Sequence, residues 1–178
     1  KTIEITLEVN PGEVNLENFM GFKHSGINRL SLGFQSLRPK LLEFLSRIHG
    51  PEDNLKTFNN AREAGFNNIN IDLIFNIPGQ TIKEWKEDLE KITKLNPEHI
   101  SAYSLTVEKG TPLNTMVLDG IIKMPSEKID VKMYKIALNL LNKNGYQQYE
   151  ISNYCLPDKE CKHNLHYWNL NQYIAFGP

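Results

Sequence analysis

Apolar and polar residues alternate along several short segments of the chain, the pattern of β-strands with one covered face. Between residues 29 and 35, Leu30, Leu32 and Phe34 occupy every second position, and the intervening residues are polar or glycine. Such segments predict five strands, at 3–8, 29–35, 68–75, 99–105 and 147–152. Longer segments with helical spacing lie between them and predict helices at 15–24, 39–45, 51–64, 81–95 and 127–144.

A glycine stands at the end of three of these helices. Gly26, Gly65 and Gly145 are each followed by an apolar residue that leads into a strand. Glycine is favoured there because it adopts the left-handed conformation that closes a helix. Helices between successive strands imply parallel strands joined by right-handed crossovers. The sequence therefore predicts an α/β fold.

The polar positions of these strands form a second face of the sheet. Parallel strands covered on both sides are usually apolar throughout, whereas these have polar residues at every second position. One interpretation is an open sheet with a solvated face. The other is a barrel, or part of one, with a polar cavity inside. Alternation alone does not decide between them, and a complete eight-stranded barrel needs roughly 250 residues.

Composition narrows the class of protein. The chain has 178 residues, of which 40% are hydrophobic and 23% charged, as in a globular domain. Its net charge of −1 gives no reason to expect a nucleic-acid partner. No segment is apolar over the roughly 20 residues that a transmembrane helix requires, and we expect a cytoplasmic protein. Its two cysteines do not suggest a disulfide framework.

Candidate binding residues fall at or near the carboxyl ends of the predicted strands, where parallel barrels place their sites. Glu8, Gln35 and Asp72 lie on the strands, and Arg47 lies in a loop. Carboxylates can accept hydrogen bonds from ribose hydroxyls or an ammonium group, and a guanidinium can hold a carboxylate. Each residue alone could serve a structural hydrogen bond, but four of them in consecutive units favour a ligand site.

The tail combines Cys155, Cys161, His163 and His166 with the aromatic pair that follows, Tyr167 and Trp168. Zinc is one interpretation, although the spacing differs from the common zinc motifs. Heme is another, because histidine can ligate its iron and aromatic residues can line the macrocycle. A polar loop with structural histidines and buried aromatic residues is the third.

Four segments together resemble a known family. They read EITLEVNPG at 4–12, NRLSLGFQS at 28–36, RIH at 47–49 and NIDLIFNIPGQT at 70–81. In this order they are similar to the core of radical S-adenosylmethionine (SAM) proteins of the oxygen-independent coproporphyrinogen III oxidase group. The resemblance implies a partial (β/α)6 barrel, of which residues 1–120 hold roughly the third to sixth strands. Residues 121–178 would begin a C-terminal α+β domain.

The resemblance also implies cofactors and the residues that bind them. Glu8, Gln35, Arg47 and Asp72 match positions that contact SAM, and Thr106 matches a backbone contact. The family's cluster motif, Cys-x3-Cys-x2-Cys, is absent, so we expect the [4Fe-4S] ligands to lie outside this chain. We expect both ends to be truncations, with Lys1 inside a strand and Gly177-Pro178 inside a motif.

Two segments resemble the heme-chaperone branch more than the oxidases. They are YSLTVEKGTPL at 103–113 and HNLHYW at 163–168. This likeness implies that the parent protein binds heme, with His163 and His166 as candidate ligands, and passes it to acceptor proteins. A transient membrane-protein acceptor is compatible with that role. The alternative is radical decarboxylation of coproporphyrinogen III in heme biosynthesis.

Overall fold

The computed structural model describes residues 3–176, so the expectations for Lys1 and for Gly177-Pro178 lie outside it. Six strands form one sheet: β1 (Thr6–Val9), β2 (Arg29–Gln35), β3 (Ile69–Phe75), β4 (His99–Ser104), β5 (Gln147–Gln148) and β6 (Asn153–Cys155). The helices are α1 (Leu16–His24), α2 (Pro39–Phe44), α3 (Pro51–Glu63), α4 (Ile82–Leu95), α5 (Pro112–Leu118), α6 (Glu127–Lys143) and α7 (Lys162–Trp168). The predicted α/β class is confirmed.

Strands β1 to β4 are parallel neighbours in chain order, and helices connect them. Thr6 pairs with Arg29 where β1 meets β2, and Asn70 pairs with His99 where β3 meets β4. The predicted βα repeat is therefore correct for these four strands. Their carboxyl ends, here called the upper end of the sheet, lie together because the strands run in one direction.

The prediction of one strand over 147–152 was wrong. The segment forms only the two-residue strand β5, turns, and returns as β6, which runs antiparallel to β4 and β5. The carboxylate of Glu150 accepts a 2.9 Å hydrogen bond from the backbone N–H of Ser152 within this turn. The sheet order is consequently β1-β2-β3-β4-β6-β5.

The apolar face of the sheet packs against the helices, as the alternation predicts. Leu32 and Ile71 are fully buried at its centre. Trp85 on α4 is 1% exposed, packs against Phe75 at 5.3 Å between ring centroids, and donates a 2.9 Å hydrogen bond to the carbonyl of Met133 on α6. Burying a side chain of this size contributes about 3 kcal/mol. Trp85 thus fixes α6 against the layer that carries the strands.

Local signals set several helix ends. Gly26, Gly65 and Gly145 have φ angles of +97°, +86° and +87°, which confirms the three predicted caps. Thr81 and Glu84 form a capping box at the start of α4. Helices α5 and α7 were not predicted, although Thr111 caps α5.

The sheet crosses the expected domain division near residue 120, because β6 lies beside β4. That division stays a prediction. Within residues 3–176, no helix is long and apolar enough to cross a membrane.

Candidate functional site

The polar face of the sheet borders a cleft of about 930 Å³. Several of its polar side chains are buried: Arg29 is 3% exposed, Ser31 8%, and Asn70 and Ser101 2% each. A solvated open sheet would leave these side chains in water, so the geometry favours the polar cavity of a partial barrel.

Four of the five predicted SAM residues line this cleft: Glu8, Gln35, Asp72 and Thr106. Arg47 does not line it. The Arg47 guanidinium instead donates a 3.1 Å hydrogen bond from Nη1 to Oδ1 of Asn10, which follows β1. The four lining residues come from different strands or the loops after them, and the parallel topology brings them together.

Gln35 ends β2 with an unusual backbone. Its φ angle is +61°, a left-handed value that non-glycine residues adopt infrequently, and the pairing with β3 shifts register between Leu32 and Gln35. The Gln35 amide folds back over Gly33, where an added Cβ would lie only 2.9 Å from Nε2. The strand thus leaves the regular ladder at the point where it presents Gln35 to the cleft.

Asp72 lies on β3 at the middle of the cleft. One carboxylate oxygen accepts a hydrogen bond from Oγ of Ser31, and the other accepts one from Nδ2 of Asn70, both at 2.8 Å. Desolvation raises the pKa of Asp72 above the ordinary value, and these two hydrogen bonds only partly oppose that rise. A cationic or hydroxyl-bearing ligand in the cleft would offer the carboxylate the donors it lacks.

A chain of hydrogen bonds continues from Asp72 along the floor of the cleft. Oδ1 of Asn70 lies 2.7 Å from Nδ1 of His99, and Nε2 of His99 lies 2.8 Å from the hydroxyl of Tyr149. Because the Asn70 amide nitrogen already donates to Asp72, its oxygen accepts, so His99 carries its proton on Nδ1. Burial, followed by the charge of Arg29, lowers the pKa of His99 to about 3 and keeps the ring neutral.

Tyr149 connects this chain to the tail. Its hydroxyl accepts hydrogen bonds from the backbone N–H of Cys161 at 3.3 Å and from Nδ2 of Asn164 at 3.4 Å. Cys161 directly precedes α7, so the helix is anchored at the lower end of the cleft, opposite Gln35.

The two tail histidines have different positions. His163 lines the cleft, and its exposed imidazole has no hydrogen-bond partner among the described residues. His166 does not line the cleft, and its Nδ1 lies 3.2 Å from Nδ2 of Asn171. The geometry leaves His163 the freer of the two to bind a ligand.

An aromatic side chain contacts His163, and a second one contacts the first. The ring of His163 packs edge-on against Tyr167, with 4.9 Å between the ring centroids. The ring centroids of Tyr167 and Tyr173 are 4.6 Å apart. We call the contacting pair Tyr167 and Tyr173 the aromatic surface; their exposed fractions are 45% and 59%. Trp168 and Phe176, close by in the sequence, are also exposed, at 58% and 94%. Adjacent exposed aromatic residues of this kind are typical of a binding surface.

The cysteines do not form a metal site. Cys155 lies in β6, where burial raises the pKa of its thiol to about 11, and Cys161 is buried before α7. Across residues 3–176, no three His, Cys, Asp or Glu side chains are placed to hold a metal ion together. The donors of the described residues therefore do not fit a [4Fe-4S] cluster, nor do they fit the zinc interpretation of the tail.

Sequence reasoning missed much of the cleft floor. Arg29, Ser31 and Asn70 stand on the polar positions of the alternating strands, and that alternation was the available signal. His99 and Tyr149 carried no signal, because only the packing of β6 and the tail onto β4 brings them to the floor.

Parallel strands with a polar cleft at their polar face define an α/β protein of the partial-barrel kind. The model of the radical SAM superfamily matches residues 1–92, and the chain belongs to that superfamily. The chain is 39% identical to the heme chaperone HemW of Bacillus subtilis and 41% identical to that of Haemophilus influenzae. Each of these alignments covers 98% of the present chain.

The fold has a solved counterpart in coproporphyrinogen III oxidase (HemN) from Escherichia coli, described as a radical SAM enzyme. The TM-score is 0.76 at 29% identity, covering 88% of this chain and 36% of the oxidase. This similarity confirms the predicted radical SAM fold. The chain spans 46% of the B. subtilis relative and 45% of the H. influenzae one, slightly less than half of either.

Proposed function

We propose that this chain is the part of a heme chaperone that binds SAM in the cleft and heme at the tail. Delivery of the heme to acceptor proteins would be the task of the complete protein, with the cluster ligands supplied outside this chain. The similarity to HemW proteins supports this proposal.

The residues of the cleft fit SAM. Glu8 and Asp72 are carboxylate acceptors for the ribose hydroxyls or the ammonium group, and Gln35 adds an amide at the upper end. Thr106 would contribute a backbone contact. Arg47 is hydrogen-bonded to Asn10 in the loop after β1, and so lies beside the upper end of the cleft. SAM, when bound with a reduced cluster, would supply the radical chemistry, and the ligands of that cluster are not found among the described residues of this chain.

The observation that carries the heme proposal is the free imidazole of His163 beside the aromatic surface. Heme needs an axial ligand and apolar contacts for its macrocycle, and both stand next to each other here. His166, one turn further along α7, is a second candidate ligand. The surface is open to solvent, which suits a protein that must release heme again.

The test is an anaerobic titration of the complete protein with heme, followed by visible absorbance. We expect saturation near one heme per chain and a weakened or shifted Soret band in His163→Ala. His24→Ala is the matched control, because His24 is also exposed but ends α1. Wild-type protein without saturable binding, or equal behaviour of the two variants, would contradict the assignment of His163.

The similarity to HemN supports a second candidate, oxidative decarboxylation of coproporphyrinogen III. Incubation of the cluster-loaded protein with SAM and coproporphyrinogen III without oxygen separates the two functions. Formation of protoporphyrinogen would establish the oxidase. Stoichiometric heme binding without turnover would favour the chaperone.

A further inference from the structure

A buried arginine lies at the lower end of the cleft without an anionic partner. Arg29 begins β2 and is 3% exposed, yet it lines the cleft. Within the part of the chain that the structure describes, its Nε is buried without a hydrogen-bond partner, and Nη1 reaches only Oγ1 of Thr6, at the long distance of 3.5 Å. Arginine is rarely buried to this degree unless it is paired.

The neighbouring carboxylates are engaged elsewhere. None of the ion pairs among the described residues includes Arg29. Glu4 accepts a 2.9 Å hydrogen bond from the backbone N–H of Lys162, and Asp72 accepts from Ser31 and Asn70. The guanidinium therefore has the donors for an incoming anion, and the fold has already placed it beside the cavity.

The position of Arg29 separates it from the predicted SAM contacts at the upper end. Gln35 lies six residues further along the same strand, which is roughly 20 Å at strand spacing. On the other side lies Cys161: burial raises the pKa of its thiol, and the nearby charge of Arg29 opposes that rise. Cys161 stands two residues before His163, so Arg29 belongs to the end of the cleft that α7 covers.

We propose that Arg29 binds a propionate carboxylate of the heme that His163 holds; this rests on the proposed function. A planar guanidinium matches a carboxylate with two parallel hydrogen bonds, and the buried setting strengthens such a pair. His163 and Arg29 line one cavity, so the ring of heme would meet the aromatic surface while one propionate points inward.

The test compares heme with heme dimethyl ester, whose propionates carry no charge, on the complete wild-type protein and on Arg29→Gln and Arg29→Lys. We expect wild type to bind heme about tenfold to a hundredfold more tightly than the ester, the effect of one charge-assisted pair. Arg29→Gln should lose this preference, and Arg29→Lys should keep part of it. Retained SAM binding checks that each variant has folded.

The outcomes separate the two proposals. Wild-type protein that binds heme and the ester equally would overturn the role of Arg29 but not the proposed heme chaperone. The same holds if Arg29→Gln loses affinity for heme and for the ester to the same extent. A loss of SAM affinity alone would overturn it too, because the anion would then be the carboxylate of SAM. Wild-type protein that binds neither porphyrin would overturn the proposed function itself. If Arg29→Gln fails to fold, the wild-type preference and Arg29→Lys still decide.

Discussion

Replacing Asp72 by asparagine should weaken SAM binding and stabilise the fold at the same time. Asparagine keeps the shape of the side chain, and its amide oxygen can still accept from Nδ2 of Asn70, while its NH2 group donates to Oγ of Ser31; both partners are 2.8 Å away in the wild-type protein. The variant thus removes the negative charge and reverses the direction of one hydrogen bond. This combination is expected for a residue that serves ligand binding and lowers the stability of the fold.

The sign for stability follows from the pKa of Asp72. Desolvation raises this pKa in the folded protein, with the hydrogen bonds from Ser31 and Asn70 opposing it. Near pH 7 the folded state therefore carries a cost for the ionised carboxylate that the unfolded state does not. The cost disappears as the pH falls through the folded pKa to the ordinary value, because Asp72 is then protonated in both states. Asp72→Asn lacks the cost at every pH.

The magnitude for binding comes from one hydrogen bond to a charged group. Such a bond contributes about 1.5–3 kcal/mol, which corresponds to roughly a tenfold to hundredfold rise in the dissociation constant for SAM. Calorimetric titration of the complete, cluster-loaded protein measures this constant. Urea unfolding at about pH 7.5 and about pH 4.5 measures the free energy of unfolding of both proteins. Asp72→Asn should be more stable than wild type at the higher pH, and this gain should be smaller at the lower pH.

Asp119→Asn is the matched control, because Asp119 is exposed at the end of α5 and lies outside the cleft. It should leave both quantities unchanged. An unaltered SAM affinity in Asp72→Asn would refute the assignment of Asp72 to the site. A loss of stability near neutral pH would refute the argument that desolvation dominates its pKa.

Two further variants test the contacts that hold the cleft. Tyr149→Phe removes the hydroxyl that donates to His99 and accepts from Asn164. We expect thermal unfolding to show a loss of about 1–3 kcal/mol, whereas Tyr167→Phe on the exposed face of α7 should show little change. Asp88→Ala breaks a pair in which the carboxylate is 1% exposed and lies 2.7 Å from Nε of Arg38. Urea unfolding should show a loss of about 3 kcal/mol, and Glu87→Ala, which removes the exposed partner of the same arginine, should cost far less. Equal losses within either matched pair would contradict the importance of burial.

The parallel strands could be predicted because the signals that mark them lie within short segments of the sequence. Alternation placed Leu32 and Ile71 on the buried face, and a glycine such as Gly65 marked the helix end before a strand. Helix α5 was also predictable in principle. Thr111 accepts a hydrogen bond from the N–H of Asn114 and precedes Pro112, a favourable start for a helix.

The hairpin of β5 and β6 depends on contacts that no local pattern reports. The segment 147–152 has strand composition, but β5 ends at Gln148, and the hydroxyl of Tyr149 bonds to His99, 50 residues earlier. Cys155 then pairs with His99 in the sheet. The position of α7 follows from the same tyrosine, so neither the hairpin nor the lower end of the cleft could be predicted from spacing.

The hydrogen-bond chain along the cleft floor makes the site and the tail one structural unit. Tyr149 donates to His99, His99 donates to Asn70, and Asn70 donates to Asp72, so every bond points towards the carboxylate. Burial lowers the pKa of His99 to about 3 and keeps its ring neutral, and the single ring proton stays on Nδ1 because the facing Asn70 oxygen can only accept. Removing any member leaves a buried polar atom without a partner, which costs more than the bond itself contributes. The residues that position Asp72, the proposed SAM contact, therefore also hold α7, and with it His163, against the lower end of the same cavity.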